Sequence, residues 1–280
     1  MNRIAILFTV FNRKKTTINC LRELYKIEIP KNCIFDVYLT DDGCTDGTPE
    51  AIKNEFPDVN IIKGDGTLYW NRGMYKAWEE AAKNDYDYYL WMNDDVKPYD
   101  YLLKVLIETS KELNDKAIIC GAVEDEKKTC MTYGGELKYK KFIAPNGKTQ
   151  RIDYSQGNIV LIPKYVYDIV GNLDSYYGHS RGDSDYGLTA GRLGLEYYQA
   201  KCFLGSCELH NELPKCFNPK IAFKTRWKAL HHKTGNPPHE VWYYWKKHRG
   251  YLFAFYECLK VYVRCVCPQI WIMTNHATLQ

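Results

Sequence analysis

Short apolar runs alternate with amphipathic stretches through the first half of the chain. Ile4–Val10 is a continuous apolar run that predicts a buried strand, and Thr16–Lys26 follows with Ile18, Leu21, Leu24 and Tyr25 at helical spacing. The alternation continues with a strand at Ile34–Thr40, a helix at Thr48–Phe56 after the Asp46-Gly47 turn, and a short strand at Val59–Lys63. A helix over Gly73–Lys83, a strand at Asp87–Met92, a helix at Tyr99–Leu113 opened by Pro98 and a strand at Ala117–Val123 complete the half. Such alternation predicts an α/β fold, a Rossmann-like, mostly parallel sheet flanked by helices on both faces.

The middle is less regular. Thr129–Phe142 reads as a hairpin around Gly134-Gly135, and Ala144-Pro145-Asn146-Gly147 as a turn. A strand at Asn158–Pro163 and helices at Lys164–Val170 and Ser184–Leu193 follow. Cys202–Pro219 shows no period and predicts a mobile active-site loop. His239–Val263 reads as one long aromatic-rich helix stopped before Pro268. These patterns divide the chain into an α/β domain at 1–215, split near residue 123, and an aromatic, basic C-terminal helical segment at 216–280.

Charge sharpens that division. Of a net charge of +4, residues 201–280 contribute +8 from 12 Lys/Arg and 4 Asp/Glu, which leaves −4 for residues 1–200. The basic end predicts an anionic partner such as membrane phosphate or a lipid-linked pyrophosphate. No zinc-finger, helix-turn-helix or RNA-binding signature accompanies it, which argues against nucleic acid. The 11 Cys are scattered without a Cys-x-x-Cys pair, so they read as reduced thiols in a cytosol. The run Ile4–Phe11 is brief and leads into Asn12-Arg13-Lys14-Lys15, which suits a first strand better than a signal segment.

Three acidic clusters are expected at the ends of three predicted strands, and a buried strand disfavours unpaired carboxylates, so the acids point to one polar cleft. The first is Asp41-Asp42 in Leu39-Thr40-Asp41-Asp42-Gly43, preceded by Thr9-Val10-Phe11-Asn12-Arg13 at the end of the first strand. A carboxylate there can accept the N3 hydrogen of a pyrimidine; alone, Asp-Asp-Gly is an ordinary turn. The second is Asn93-Asp94-Asp95 after Trp91-Met92. Two adjacent acids suit Mg²⁺ or Mn²⁺, which take hard oxygen ligands plus substrate phosphates, although a solvated turn reads the same way. The third is Gly182-Asp183-Ser184-Asp185, which suits a general base or a helix N-cap.

Together these motifs resemble the inverting glycosyltransferases of family 2, with the GT-A fold, over Ile4 to about His210. The resemblance implies that Thr9 and Asp42 sit at the nucleotide base, with Asn12, Arg13 and Asp41 beside them. It implies that Asp94 approaches the ribose or sugar and that Asp95 contacts a divalent cation and the diphosphate, with Asn93 standing where the first Asp is common. Asp183 matches the catalytic base, Gly182 replaces the usual Glu, and Asp185 is the fallback. His210 falls where members place a late histidine that completes the metal site, although an isolated His is more often a packing or surface residue. Gly64-Asp65-Gly66-Thr67-Leu68-Tyr69-Trp70-Asn71-Arg72-Gly73-Met74 looks like the donor-side loop of rhamnosyltransferase-like members, where Arg72 steadies the nucleotide and Trp70 lines the site or the core.

The implied activity is transfer of a sugar from a UDP-hexose or dTDP-rhamnose, with Mn²⁺ or Mg²⁺, to a glycan acceptor. A lipid-linked acceptor of surface polysaccharide synthesis would be met at the cytosolic face of the membrane. Trp242-Tyr243-Tyr244-Trp245-Lys246-Lys247-His248-Arg249 mixes rings and cations as an interfacial helix does, and equally as a helix packed on the domain or on a second subunit. Two rivals remain. A nucleotidyltransferase would show a Gly-rich first loop that is missing here, and an inactive or glycan-binding homologue would account for Asn93 and Gly182.

Overall fold

The computed structural model describes residues 1–137, 141–209 and 213–269. Its first half follows the predicted alternation: β1 (Asn2–Val10), α1 (Lys14–Leu24), β2 (Cys33–Asp41), α2 (Thr48–Glu55), β3 (Asn60–Lys63), α3 (Tyr69–Ala81), β4 (Tyr88–Met92) and α4 (Leu102–Glu112). The strands run β3-β2-β1-β4 in parallel. Ile159–Pro163 then lies antiparallel to β4, followed in the sheet by Ala117–Glu124, Glu196–Ser206 and Gln150–Ile152. Pairing of Val10 with Asp41 across β1 and β2 brings the carboxyl ends of these strands side by side.

Period-two alternation explains how one strand feeds two cores. Ile4, Ile6, Phe8 and Val10 of β1 pack with Ile18, Leu21 and Leu24 of α1 and with Leu102 and Leu106 of α4. Ala5 and Leu7 face the other side, toward Met74, Ala77 and Trp78 of α3 and Trp91 of β4. α5 (Lys164–Val170) and α6 (Gly182–Arg192) supply Val166, Tyr186 and Ala190 to that second core.

Three expectations are corrected. Gly134-Gly135 is no hairpin tip: Met131–Tyr133 pairs with Ala117–Glu124 in the large sheet, and Gly135–Leu137 belongs to a separate small sheet with Tyr154–Ser155 and Lys141–Phe142. The glycine at 135 is needed because a Cβ would lie 2.6 Å from Ile152, and its amide donates to Gln199 Oε1 at 2.7 Å. The stretch Cys202–Ser206, expected in a loop, is the end of a sheet strand; register shifts between Gln199 and Gly205 break the period that would have marked it. The single C-terminal helix is two, α8 (Pro238–Arg249) and α9 (Tyr251–Val266), because Gly250 takes φ 87° between them.

The chain divides into two compact units: one holds Met1–Ser175 and Gly182–Leu209, the other Tyr176–Arg181 and the chain from 210 onward. The second unit has a small core of Cys216, Phe217, Leu230, Val241, Val261 and Cys265 among α7 (Phe223–Leu230), α8 and α9. Among the described residues no helix is long and apolar enough to cross a membrane.

Candidate active site

Asp94 and Asp95 follow Asn93 at the end of β4, and a single guanidinium bridges them. Arg13 Nη1 lies 2.8 Å from Asp94 Oδ1 and its Nη2 lies 2.9 Å from Asp95 Oδ2. Thr17, fully buried on α1, donates its hydroxyl to Asp94 Oδ2 at 2.7 Å. Burial pushes the Asp94 carboxyl up to about 6, against the pull of Arg13 and Thr17. Burial acts to lower the Arg13 pKa, but the two carboxylates outweigh it and raise it. Cys207, at the end of the long strand, is pushed up by burial and by neighbouring Asp95. A cavity of about 370 Å³ opens beside the two acids, with Lys15, Lys97, Glu23 and Glu126 in its walls.

The end of β2 is braced by its own polar groups. Asp42 accepts backbone amides from Gly66, Leu68 and Tyr69 at 2.9, 3.2 and 2.8 Å, which ties down the loop after β3 and starts α3 at Tyr69, four residues before the predicted Gly73. Asp41 Oδ1 accepts the Cys44 amide, and Asn12 Oδ1 accepts the Thr45 amide, so the β1 and β2 loops are joined. Thr9 packs where a Cβ on Gly73 would stand, 2.0 Å from its Oγ1, so α3 lies close upon β1.

Trp70 links these groups to α6. Its Nε1 donates to Asn93 Oδ1 at 2.7 Å, and its ring fills the place of a Cβ on Gly157. The Gly157 amide in turn donates to Asp183 Oδ2 at 3.2 Å, while Asp183 Oδ1 accepts the Ser184 amide at the start of α6. Asp185, also in the first turn of α6, is buried. Arg72 Nε donates to the Ser175 carbonyl at 2.9 Å and Asn71 Nδ2 to the Asp174 carbonyl at 2.8 Å, so both hold the 172–175 segment. The structure therefore gathers Arg13, Asn93, Asp94, Asp95, Trp70 and Asp183 into one connected set, with Thr9, Asn12, Asp41 and Asp42 at the neighbouring strand ends. His210 lies outside the described residues.

The family model described as Glycosyl transferase family 2 matches residues 5–168, more than half of the chain. The chain belongs to glycosyl transferase family 2. Solved structures of similar fold include S. aureus TarS at 12% identity and a TM-score of 0.56, covering 84% of this chain and 43% of that one. The mannosyltransferase PcManGT from Pyrobaculum calidifontis, solved with GDP-Man and Mn²⁺, aligns at 12% identity and a TM-score of 0.55 over 98% of this chain and 79% of its own. GalNAc-T7 with UDP, GalNAc and Mn²⁺ aligns at 11% identity and a TM-score of 0.58, over 82% and 48%. The chain thus spans less than half the length of TarS and GalNAc-T7, and at these identities the likeness is one of fold. No curated protein matches the chain.

The departures of this family 2 member from the motif pattern have local causes. A Cβ on Gly182 would fall 1.6 Å from Asn71 Oδ1, so no larger side chain fits at 182 while Asn71 holds Asp174. Asn93 uses its carbonyl oxygen on the Trp70 indole, a role that an amide fills without adding a third charge beside Asp94 and Asp95. Among the described residues no three His, Cys, Asp or Glu side chains are grouped to hold a metal. The donor chemistry nonetheless fits a hard divalent cation, which needs only one or two carboxylates beside substrate phosphate and water. Two adjacent carboxylates already hold one positive group there, and Asp95 is the less buried of the two.

Thr17 and Cys207 touch this cluster and were not singled out in the sequence. Thr17 had a signal: it shares the buried stripe of α1 with Ile18, Leu21 and Leu24, where a hydroxyl calls for a partner. Cys207 had none, because its neighbour Asp95 is brought to it by the sheet.

Proposed function

We propose that the chain is an inverting, divalent-cation-dependent glycosyltransferase. It would move one sugar from a nucleoside diphosphate donor, a UDP-hexose or dTDP-rhamnose, to a hydroxyl of a glycan acceptor, lipid-linked in surface polysaccharide synthesis. The observation that carries this reading is the connected run from the acid pair through Asn93, Trp70 and Gly157 to Asp183. The fold relatives solved with GDP-Man or UDP and with Mn²⁺ support the donor class and the cation.

In this mechanism the acceptor oxygen attacks the anomeric carbon as the bond to the diphosphate oxygen breaks, and its proton passes to Asp183. Asp183 is oriented for this by the Gly157 and Ser184 amides, each bound to one of its oxygens. Thr9, Asn12, Asp41 and Asp42 frame the nucleotide end, and Asp94 with Arg13 faces the ribose and phosphates. A cation held by Asp95, with His210 as a candidate second ligand, would neutralise charge gathering on the leaving diphosphate.

The test is thermal stabilisation by nucleoside diphosphates and Mn²⁺, followed by transfer assays. A ligand present at about 100 times its dissociation constant adds about 2.7 kcal/mol of apparent stability. UDP or dTDP should raise Tm only with Mn²⁺, and Asp95→Ala should remove the shift. Asp183→Asn should keep the shift and abolish transfer. Full transfer by Asp183→Asn would remove it from the role of base, and no shift with any diphosphate would favour an inactive homologue.

A further inference from the structure

α9 is amphipathic in a way that its own unit does not use. Ala254, Val261 and Cys265 are buried on its inner side. Leu252, Phe255, Tyr256, Leu259, Val263 and Val266 are exposed, and at 3.6 residues per turn they share one face about 100° wide. Leu252 is 91% and Phe255 63% exposed, far more than a helix packed on its neighbours leaves bare. The apolar surface continues onto α7, where exposed Trp227 lies against Tyr262 with ring centroids 5.6 Å apart and Phe223 is also exposed.

Cations border this surface. Lys260 Nζ sits 4.9 Å from the Tyr256 ring centroid and Lys246 Nζ 5.0 Å from that of Tyr251, while Lys224 and Lys228 are exposed on α7 beside Phe223 and Trp227. Apolar residues and rings fringed by cations suit an acyl–headgroup boundary of negative charge. The surplus of +8 over residues 201–280 gives the complementary field. The sequence pointed to Trp242–Arg249 for such a contact, but α8 turns Val241 and Tyr244 inward, and the exposed stripe belongs to α9.

We propose that the α9 face, extended by Phe223 and Trp227 of α7, is a docking surface for an anionic lipid bilayer, on which the helix lies without crossing. This goes beyond the transferase reading and stands without it. The experiment is flotation of the full chain with phosphatidylcholine vesicles, with and without phosphatidylglycerol, which needs no donor or acceptor. The chain should float with the anionic vesicles and stay behind with the neutral ones.

Joint substitution Leu252→Ser, Phe255→Ser and Leu259→Ser should abolish flotation while circular dichroism is unchanged, since all three side chains are exposed. Lys224→Glu with Lys228→Glu should weaken it by about thirtyfold or more at low salt. Equal binding to neutral vesicles, or none to either, overturns the proposal. So does a dimer that dissociates on the triple substitution without vesicle binding, which would make the face a contact between copies. If removal of 270–280 abolishes flotation and the triple substitution does not, docking lies in that end and the α9 proposal fails.

Discussion

Arg13 is the side chain on which the charge balance of the acid pair turns. It pairs with both Asp94 and Asp95, and Asp94, nearly fully buried, also accepts the Thr17 hydroxyl. A divalent cation and this guanidinium would compete for the same carboxylate oxygens. Arg13→Gln should therefore destabilise the chain by about 1–2 kcal/mol, because Arg13 is partly exposed and the loss is smaller than for a fully buried pair. In the same variant Mn²⁺ alone should raise Tm more than it does in the parent, and donor affinity should fall. An Mn²⁺ shift equal in both proteins would show that the guanidinium and the cation do not share a place. Arg13 itself was legible from the sequence as part of Asn12-Arg13 after β1, but its bridge was not. The partners lie 81 and 82 residues away, and only the parallel pairing of β1 with β4 brings them together.

Elements meet at glycines where two backbones or a ring need the space of a side chain. Gly182 opens α6 against Asn71 of α3, and Gly182→Ala should cost about 1–3 kcal/mol, since neither the helix start nor the Asn71–Asp174 bond can yield freely. Combining it with Asn71→Ala should cost less than the sum of the two single changes, a coupling that denaturant titration of the four proteins measures. The turn leaving Ala117–Glu124 gives a pH-dependent case. Hydrogen bonds from the Cys130 amide and the Thr129 hydroxyl hold the Asp125 carboxyl down at about 2, below the ordinary 3.8. A depressed carboxyl pKa adds stability that is present above about pH 4 and lost as pH falls toward 2. Asp125→Asn should therefore lower Tm at neutral pH, and the gap to the parent should close by about pH 2. The elements themselves were legible where apolar period was clean, as in β1, α1 and β4. They were not where a bulge broke it, at Gln199–Gly205, or where one positive-φ glycine cut a continuous amphipathic pattern, at Gly250.

On the scale of the whole molecule, two units carry different chemistry: acids at strand ends in the first, rings and cations on helices in the second. The sequence by itself determined the α/β class, the order of strands and helices in the first half, the three acidic clusters and the basic, aromatic end. Those are local properties, set by the period of apolar residues and by turn chemistry within a few positions. Tertiary structure alone decided which acids share a guanidinium, that Asp42 spends its oxygens on three amides, that Asn71 excludes a side chain at 182, and that the exposed stripe lies on α9 and not on α8. Each of these depends on partners far apart in the chain or on which face of a helix is covered, and neither is encoded in any single window of residues.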